Sequence, residues 1–166
     1  QRIVFSIDPV SGPATGGSAL NAFGTDFSNP TTVTIGGVSG NPVFVSSTQL
    51  GVTAPPFDPG TAHDVVTTTT DGTTATLIKG WVANFLDVPA GHQFIAFVTT
   101  LISNGITSGV GGGNYGVDQP TLRQQMAVFL LKAKHGLCYV PPPCQSDFTD
   151  VPCPSTSAPS ERRRSI

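Results

Sequence analysis

The sequence predicts a mainly β chain with a small α part: an immunoglobulin-like β-sandwich over residues 1–84, then a C-terminal helical hairpin over 85–137. Three observations carry this. Short β-rich runs recur about every ten residues up to Asn84, separated by clusters of turn-forming residues. After Phe85 the spacing of apolar residues changes from two to that of a helix. The composition is that of turns and short strands, with 19 Gly and 15 Pro in 166 residues and only 11% charged residues, against roughly 25% in an average soluble domain.

The β-rich runs are Ile3–Ile7, Ala19–Phe23, Thr32–Ile35, Asn41–Val45, Gln49–Val52, Ala62–Thr69 and Thr74–Val82. "DPVSGPATGG", "GTDFSNP", "GGVSGN", "APPFDPGT" and "TDGT" stand between them, each rich in residues that stabilise turns. Seven short strands with this punctuation predict an antiparallel sandwich. Asp71-Gly72 between two strand-like runs is a hairpin signal. This half holds no Cys, so an intersheet disulfide is absent.

In "GHQFIAFVTTLISNG" the apolar residues Phe94, Val98, Leu101 and Ile102 recur at i, i+4, i+7 and i+8, and Gly105 stands where a helix C-terminus calls for it. A glycine-rich loop, "SGVGGGNYGVDQP", leads to a second helical run. Thr121 and Gln124 form a T-x-x-Q capping box there, with Leu122, Met126, Phe129, Leu130 and Ala133 predicted on one face and Gly136 at the end. One such helical unit buries a single face and is marginal alone.

The net charge of −2 gives no electrostatic case for nucleic acid. No apolar run approaches the roughly 18 residues of a membrane helix. The chain begins without Met or a signal peptide, which reads as a mature exported form or a piece of a longer protein. Cys138, Cys144 and Cys153 lack the paired spacing of a zinc site; two can bridge and leave one over.

The first half resembles an IPT/TIG domain, on "SIDPVSGPATGGSAL", "GTDFSNPTTVTIGGV" and "VTAPPFDPGTAHDVVTTTTDGTTATL" in that order. The resemblance implies an immunoglobulin-like sandwich that serves as a spacer or binding module. Residues 85–137 resemble one S-layer homology repeat, on "FLDVP" at Phe85–Pro89, "GITSG" at 105–109, "GGGNY" at 111–115 and "PTLRQQMAVFLL" at 120–131. "FTDVP" at Phe148–Pro152 then resembles the start of a second, truncated repeat, so that 138–166 reads as a Pro-rich linker with an unfinished unit. The resemblance further implies that Asp87 and Asp150 cap following helices, that Phe85 and Phe148 are packing residues, and that Cys144 pairs with Cys153. It places cysteines at both sides of the glycine loop, where this chain has Val110 and Gly116. Of the wall-binding signature only Arg123 matches residue by residue.

The candidate residues each have a plainer reading. Arg123 is a candidate for an acidic glycan, and Tyr115 and Trp81 for stacking on a sugar ring, although Trp81 in the last strand also reads as core. His63, His92 and His135 read first as strand-start, helix-start and helix-end residues; the nearest approach to a nucleophile elbow, "GGSAL" at 16–20, lacks its last Gly. "GGGNYG" lacks the Lys-Ser/Thr ending of a phosphate loop and reads as a connector needing positive φ. No cofactor is expected; Asp26, Asp58, Asp71 and Asp118 in turns are of the type that binds calcium, but there is no D-x-D-x-D-G loop. The sequence thus points to a non-catalytic extracellular or cell-surface module, anchoring to cell-wall or other polysaccharide. Its rivals are a small hydrolase of esters, lactones or glycosides, with His92 or His135 as base beside an Asp or a bound metal ion, and a homo-oligomerisation module.

Overall fold

The computed structural model describes residues 3–143. Nine strands form among them: β1 (Ile3–Asp8), β2 (Ser11–Pro13), β3 (Ala19–Thr25), β4 (Thr31–Ile35), β5 (Val38–Ser39), β6 (Val43–Ser46), β7 (Gln49–Thr53), β8 (Thr61–Thr69) and β9 (Thr74–Asn84). They build two sheets, in the orders β1-β3-β7-β6 and β2-β9-β8-β4-β5. All seven predicted runs coincide with strands. The fourth begins at Val43 because Asn41 has φ 46° and Pro42 has no N–H to give to a ladder.

Two corrections follow from the pairing. The short strands β2 and β5 were not foreseen, and β2 runs parallel to β9, Ser11 opposite Val82, so the sandwich is not wholly antiparallel. A three-residue strand flanked by Pro and Gly carries too little periodicity to be read as one. The predicted hairpin joins β8 to β9, closed by Gly72 N–H to the Thr69 carbonyl at 2.9 Å with Gly72 at φ 79°.

Alternation in each strand places its apolar members inward: Leu20 and Ala22 from β3, Val33 and Ile35 from β4, Leu50 and Val52 from β7, Val65 from β8. Trp81 completes this core at 1% exposure. Its ring occupies the space a side chain on Gly12 would need, since a Cβ there would lie 2.8 Å from Trp81 Cη2. The glycine of "SGP" is therefore fixed by tryptophan packing.

A second, smaller core joins the sandwich to the helical part. Val82 on the outer side of β9 meets Phe85, Val88, Val98 and Ile102. The last two come from helix α1 (Ile95–Ser103), which packs on β9 and β8. α1 ends as predicted at Gly105: its N–H reaches the Ile102 carbonyl at 2.8 Å, and Ile106 N–H reaches that of Leu101 at 2.9 Å. This double bond pattern around a left-handed glycine satisfies carbonyls the helix would otherwise leave open.

Helix α2 (Arg123–His135) departs from its predicted cap and face. Its N-cap is Leu122, one residue beyond the predicted Thr121, and Gln125 Oε1 accepts the Leu122 N–H at 2.9 Å. A leucine side chain has no acceptor, so only this half of a capping box exists. The predicted apolar stripe is largely outside: Leu122 is 54%, Met126 46% and Leu130 63% exposed. Gln125, Val128, Phe129 and Lys132 instead turn toward the glycine loop. The reason is chemical. The surface α2 covers is a loop of backbone amides, so it takes a half-polar face.

Candidate functional site

The site is built outward from "FLDVP". Phe85, 2% exposed, is wedged where two glycines make room. A Cβ on Gly60 would sit 2.0 Å from Phe85 Cε1, and one on Gly109 would sit 2.6 Å from the same atom. Gly60 belongs to the turn before β8 and Gly109 to the glycine loop, so one ring pins that loop to the sandwich. Leu86 N–H then donates to the Gly113 carbonyl at 2.9 Å.

Asp87 does not cap α1; this corrects the expectation drawn from the resemblance. Its carboxylate turns to the glycine loop, accepting Tyr115 N–H and Gly116 N–H at 2.7 Å each and Val117 N–H at 3.4 Å. Three successive amides converging on a carboxylate form a reversed anion nest, with the anion supplied by the protein. Desolvation alone would raise the Asp87 pKa; the N–H groups of Tyr115, Gly116 and Val117, with that of Asp87 itself, together outweigh it and hold the carboxyl below its ordinary value. The start of α1 takes its bonds from His92 instead, whose carbonyl accepts the Ile95 N–H at 3.0 Å. His92 Nδ1 accepts the Phe94 N–H at 3.2 Å, and α1 starts three residues after His92 rather than at it. Asp150 and Phe148 lie outside the described residues, as do Cys144 and Cys153.

Positive φ at Gly109, Gly111, Gly112, Gly113 and Gly116 lets the loop fold back on itself, as the connector reading of "GGGNYG" expected. Val110 and Gly116 face one another across it: a Cβ at 116 would lie 2.9 Å from Val110 Cγ1. Where the resemblance places a cysteine at each position, this chain has an apolar contact and the Asp87 bonds.

Between this loop and α2 runs a groove of about 90 Å³, lined among others by Thr107, Tyr115, Gln119, Gln125, Phe129 and Lys132. It is far below the roughly 300–1,000 Å³ of a site enclosing a drug-sized ligand. It suits one substituent of a larger molecule. Among the described residues, Lys132 is the one charged residue in its lining. Tyr115 is half-buried, tilted against Phe85 with centroids 5.7 Å apart, and forms part of the wall. Arg123 is exposed at the start of α2 and is not in the wall. Sequence reasoning missed Lys132 and Gln125. Their signal is the spacing 125, 128, 129, 132, a helical stripe overlooked because half of it is polar.

The remaining candidates are placed as follows. Trp81 is inside the sandwich, so its ring has no free face for a sugar; the sugar-stacking reading of Trp81 is corrected to core. His63 lies in β8, stacked on Phe57 with centroids 3.7 Å apart. Burial holds its imidazole below the ordinary range, against the pull of Asp64 and Asp58. Thr61 Oγ1 donates to the Asp58 carbonyl at 2.6 Å and lies 2.7 Å from His63 Nε2. The hydroxyl has one proton, so with that proton on Asp58 the imidazole N–H is the donor to Thr61 and does not act on it as a base. His135 ends α2 and stacks on Tyr139 at 4.5 Å. Each histidine is thus engaged on a different element, and no three His, Cys, Asp or Glu side chains converge among the described residues. Cys138 is a free, exposed thiol.

Residues 3–79 match the family model of the IPT/TIG domain, and residues 84–127 match that of the S-layer homology domain. No curated protein matches the chain. Among solved structures, the chain is similar to an auxiliary nutrient binding protein from Bacteroides ovatus ATCC 8483, at 19% identity over 51% of this chain and 21% of that one, with a TM-score of 0.42. It is also similar to the extracellular region of plexin A4, at 14% identity over 50% of this chain and 8% of that one, with a TM-score of 0.45. A gamma-CGTase from alkalophilic Bacillus clarkii gives 22% identity over 45% and 11%, with a TM-score of 0.38. The chain spans about a fifth or less of the length of each of these proteins.

Proposed function

We propose that this chain, an IPT/TIG domain followed by an S-layer homology domain, is a non-catalytic anchoring module that holds an acidic cell-wall polysaccharide with the groove between its glycine loop and α2. The S-layer homology domain indicates a cell-surface or extracellular location, and domains of that kind bind cell-wall polymers. The observation that carries the finer reading is the groove itself, whose wall holds a lysine, two glutamines and a tyrosine ring and, among the described residues, no acid. Lys132 receives the carboxylate of a sugar substituent, Gln119 and Gln125 its hydroxyls, and Tyr115 one ring face. Arg123 contributes from outside the wall by attracting the charged polymer.

The test is co-sedimentation of the chain with purified bacterial cell walls. Lys132→Ala is expected to weaken retention about tenfold, the loss of one charge-assisted contact of about 1.4 kcal/mol. Arg123→Ala is expected to weaken it only a few-fold, and its effect fades between 50 and 500 mM salt because an exposed charge is screened. Retention unchanged by Lys132→Ala sinks the groove reading.

A second reading, homo-oligomerisation, is favoured by one observation: no residue of α2 is buried, and Leu122, Met126 and Leu130 face outward. Three apolar side chains on one helix are the kind of face a second copy covers. A solution mass that rises from one to two or more chains with concentration supports it, and a strictly monomeric mass up to millimolar concentration rejects it.

A further inference from the structure

A second cleft, sharing no residue with the groove, lies between the sandwich and α1. It encloses about 440 Å³ and is bounded by β1, β9 and the Thr99–Asn104 side of the helix. That volume is within the range of small-ligand sites, which favour such junctions. β9 bulges at its edge. The pairing passes from Val65 opposite Leu77 to His63 opposite Trp81, so Ile78, Lys79 and Gly80 are extruded beside Asp64. Lys79 sits at φ 50°, held by its N–H to Asp64 Oδ1 at 2.7 Å. Bulges of this kind re-aim side chains, often beside sites. Here the bulge brings Lys79 and Ile78 to the cleft.

The opposite wall is polar and has a bias. Thr100 Oγ1 donates to the Ala96 carbonyl, Ser103 Oγ to the Thr99 carbonyl, and Asn104 Nδ2 to the Thr100 carbonyl. The two hydroxyl protons are used, so Thr100 and Ser103 offer the cleft acceptor capacity, while Asn104 offers its Oδ1 as acceptor and one remaining N–H. Thr99 differs. It is 8% exposed, and its Oγ1 is buried without any partner, a state that costs about 1–3 kcal/mol unless something bonds it. A wall with more acceptors than donors calls for a ligand with several hydroxyls. The bulge opposite supplies an apolar surface from Ile78 and a single cation from Lys79, and no acid among the described residues lines the cleft.

We infer that this cleft is a binding site for a carboxylate-bearing sugar unit of the uronic acid class. The carboxylate meets Lys79 Nζ, the hydroxyls donate to Ser103 Oγ and Asn104 Oδ1, one hydroxyl reaches Thr99 Oγ1 once that side chain rotates toward the cleft, and the C–H face of the ring lies on Ile78. The site stands independently of the groove under α2.

The experiment is an amide-resolved NMR titration of the full chain with glucuronic acid, with glucose as the neutral probe. Saturable shifts are expected at residues 99–104 and 77–80, with glucuronic acid binding at least fivefold more tightly than glucose. Thr99→Val and Lys79→Glu are each expected to weaken binding at residues 99–104 and 77–80 at least fivefold. Thr99→Val keeps the melting temperature of the ligand-free protein or raises it, because it replaces an unpartnered hydroxyl by a methyl; Lys79→Glu changes an exposed residue and serves as the independent variant. Shifts confined to residues 106–132, or none, overturn the inference. Equal affinity for glucose overturns the assignment of a carboxylate.

Discussion

Phe85→Ala is expected to cost about 3–5 kcal/mol, the range for removing a fully buried phenylalanine, and to separate the melting of the two parts of the chain. Phe85 fills space made on one side by Gly60 and on the other by Gly109, and it contacts Val82, Val88, Val98 and Ile102 in the same small core. Two glycines with positive φ cannot close over the cavity by rotating side chains, because they have none, so little relaxation offsets the loss. A cost of that size is a large share of the 5–15 kcal/mol that stabilises an ordinary domain. The sandwich core around Trp81 contains no atom of Phe85 and remains intact. Calorimetry is therefore expected to show one transition in the parent chain and two in the variant, the earlier one belonging to the helical part. A single transition displaced by less than about 3 °C would mean that Phe85 is not what joins the two parts.

The sandwich was legible because its strands obey one rule. In β3, β4 and β7 every second residue is buried, so the period of two appears directly in the sequence. β2 and β5 are too short to show a period and exist only because β9 and β4 offer them free edges. α1 was legible for the same reason as the strands, as Val98 and Ile102 face an apolar surface. α2 was not, because its inner face meets amides. The apolar residues that marked it are the ones left outside.

The candidate site was legible in its residues and illegible in their roles. "FLDVP" and "GGGNY" are separated by more than twenty residues, and nothing in either string says that Leu86 pairs with Gly113 or that Asp87 holds Tyr115 and Gly116. An aspartate before a helix reads as a cap, since that is the commonest use of Asp at such a place. Here the helix begins eight residues later, and the carboxylate finds stronger partners across the fold. Trp81 was ambiguous until its environment was known, because a tryptophan in a terminal strand suits a core and a sugar equally well. Lys132 was passed over beside Arg123, since a charge in the middle of a helix carries no motif.

Asp87→Ala is expected to release the glycine loop at a cost of about 3 kcal/mol, two charge-assisted bonds at the low end of 1.5–3 kcal/mol each because the carboxylate is only half-buried. Glycines at 109, 111, 112 and 113 lose more conformational freedom on folding than any other residue, and the alanine variant leaves the Tyr115 and Gly116 N–H groups without their acceptor. The pH dependence identifies the cause. The native carboxyl has a pKa below its ordinary value, while in the unfolded chain it titrates near 3.9. A depressed native pKa stabilises the fold fully above the unfolded value, and that stabilisation is lost as pH falls from there through the native value. The difference in melting temperature between parent and Asp87→Ala is thus expected to be constant from pH 6 to 8 and to shrink below about pH 4 as both chains come to lack the charge. Asp87→Asn, which keeps one acceptor but turns an NH₂ toward the second N–H, is expected to fall between the two at neutral pH. A difference that persists undiminished to pH 2 would show that the methylene packing of Asp87, and not its charge, holds the loop.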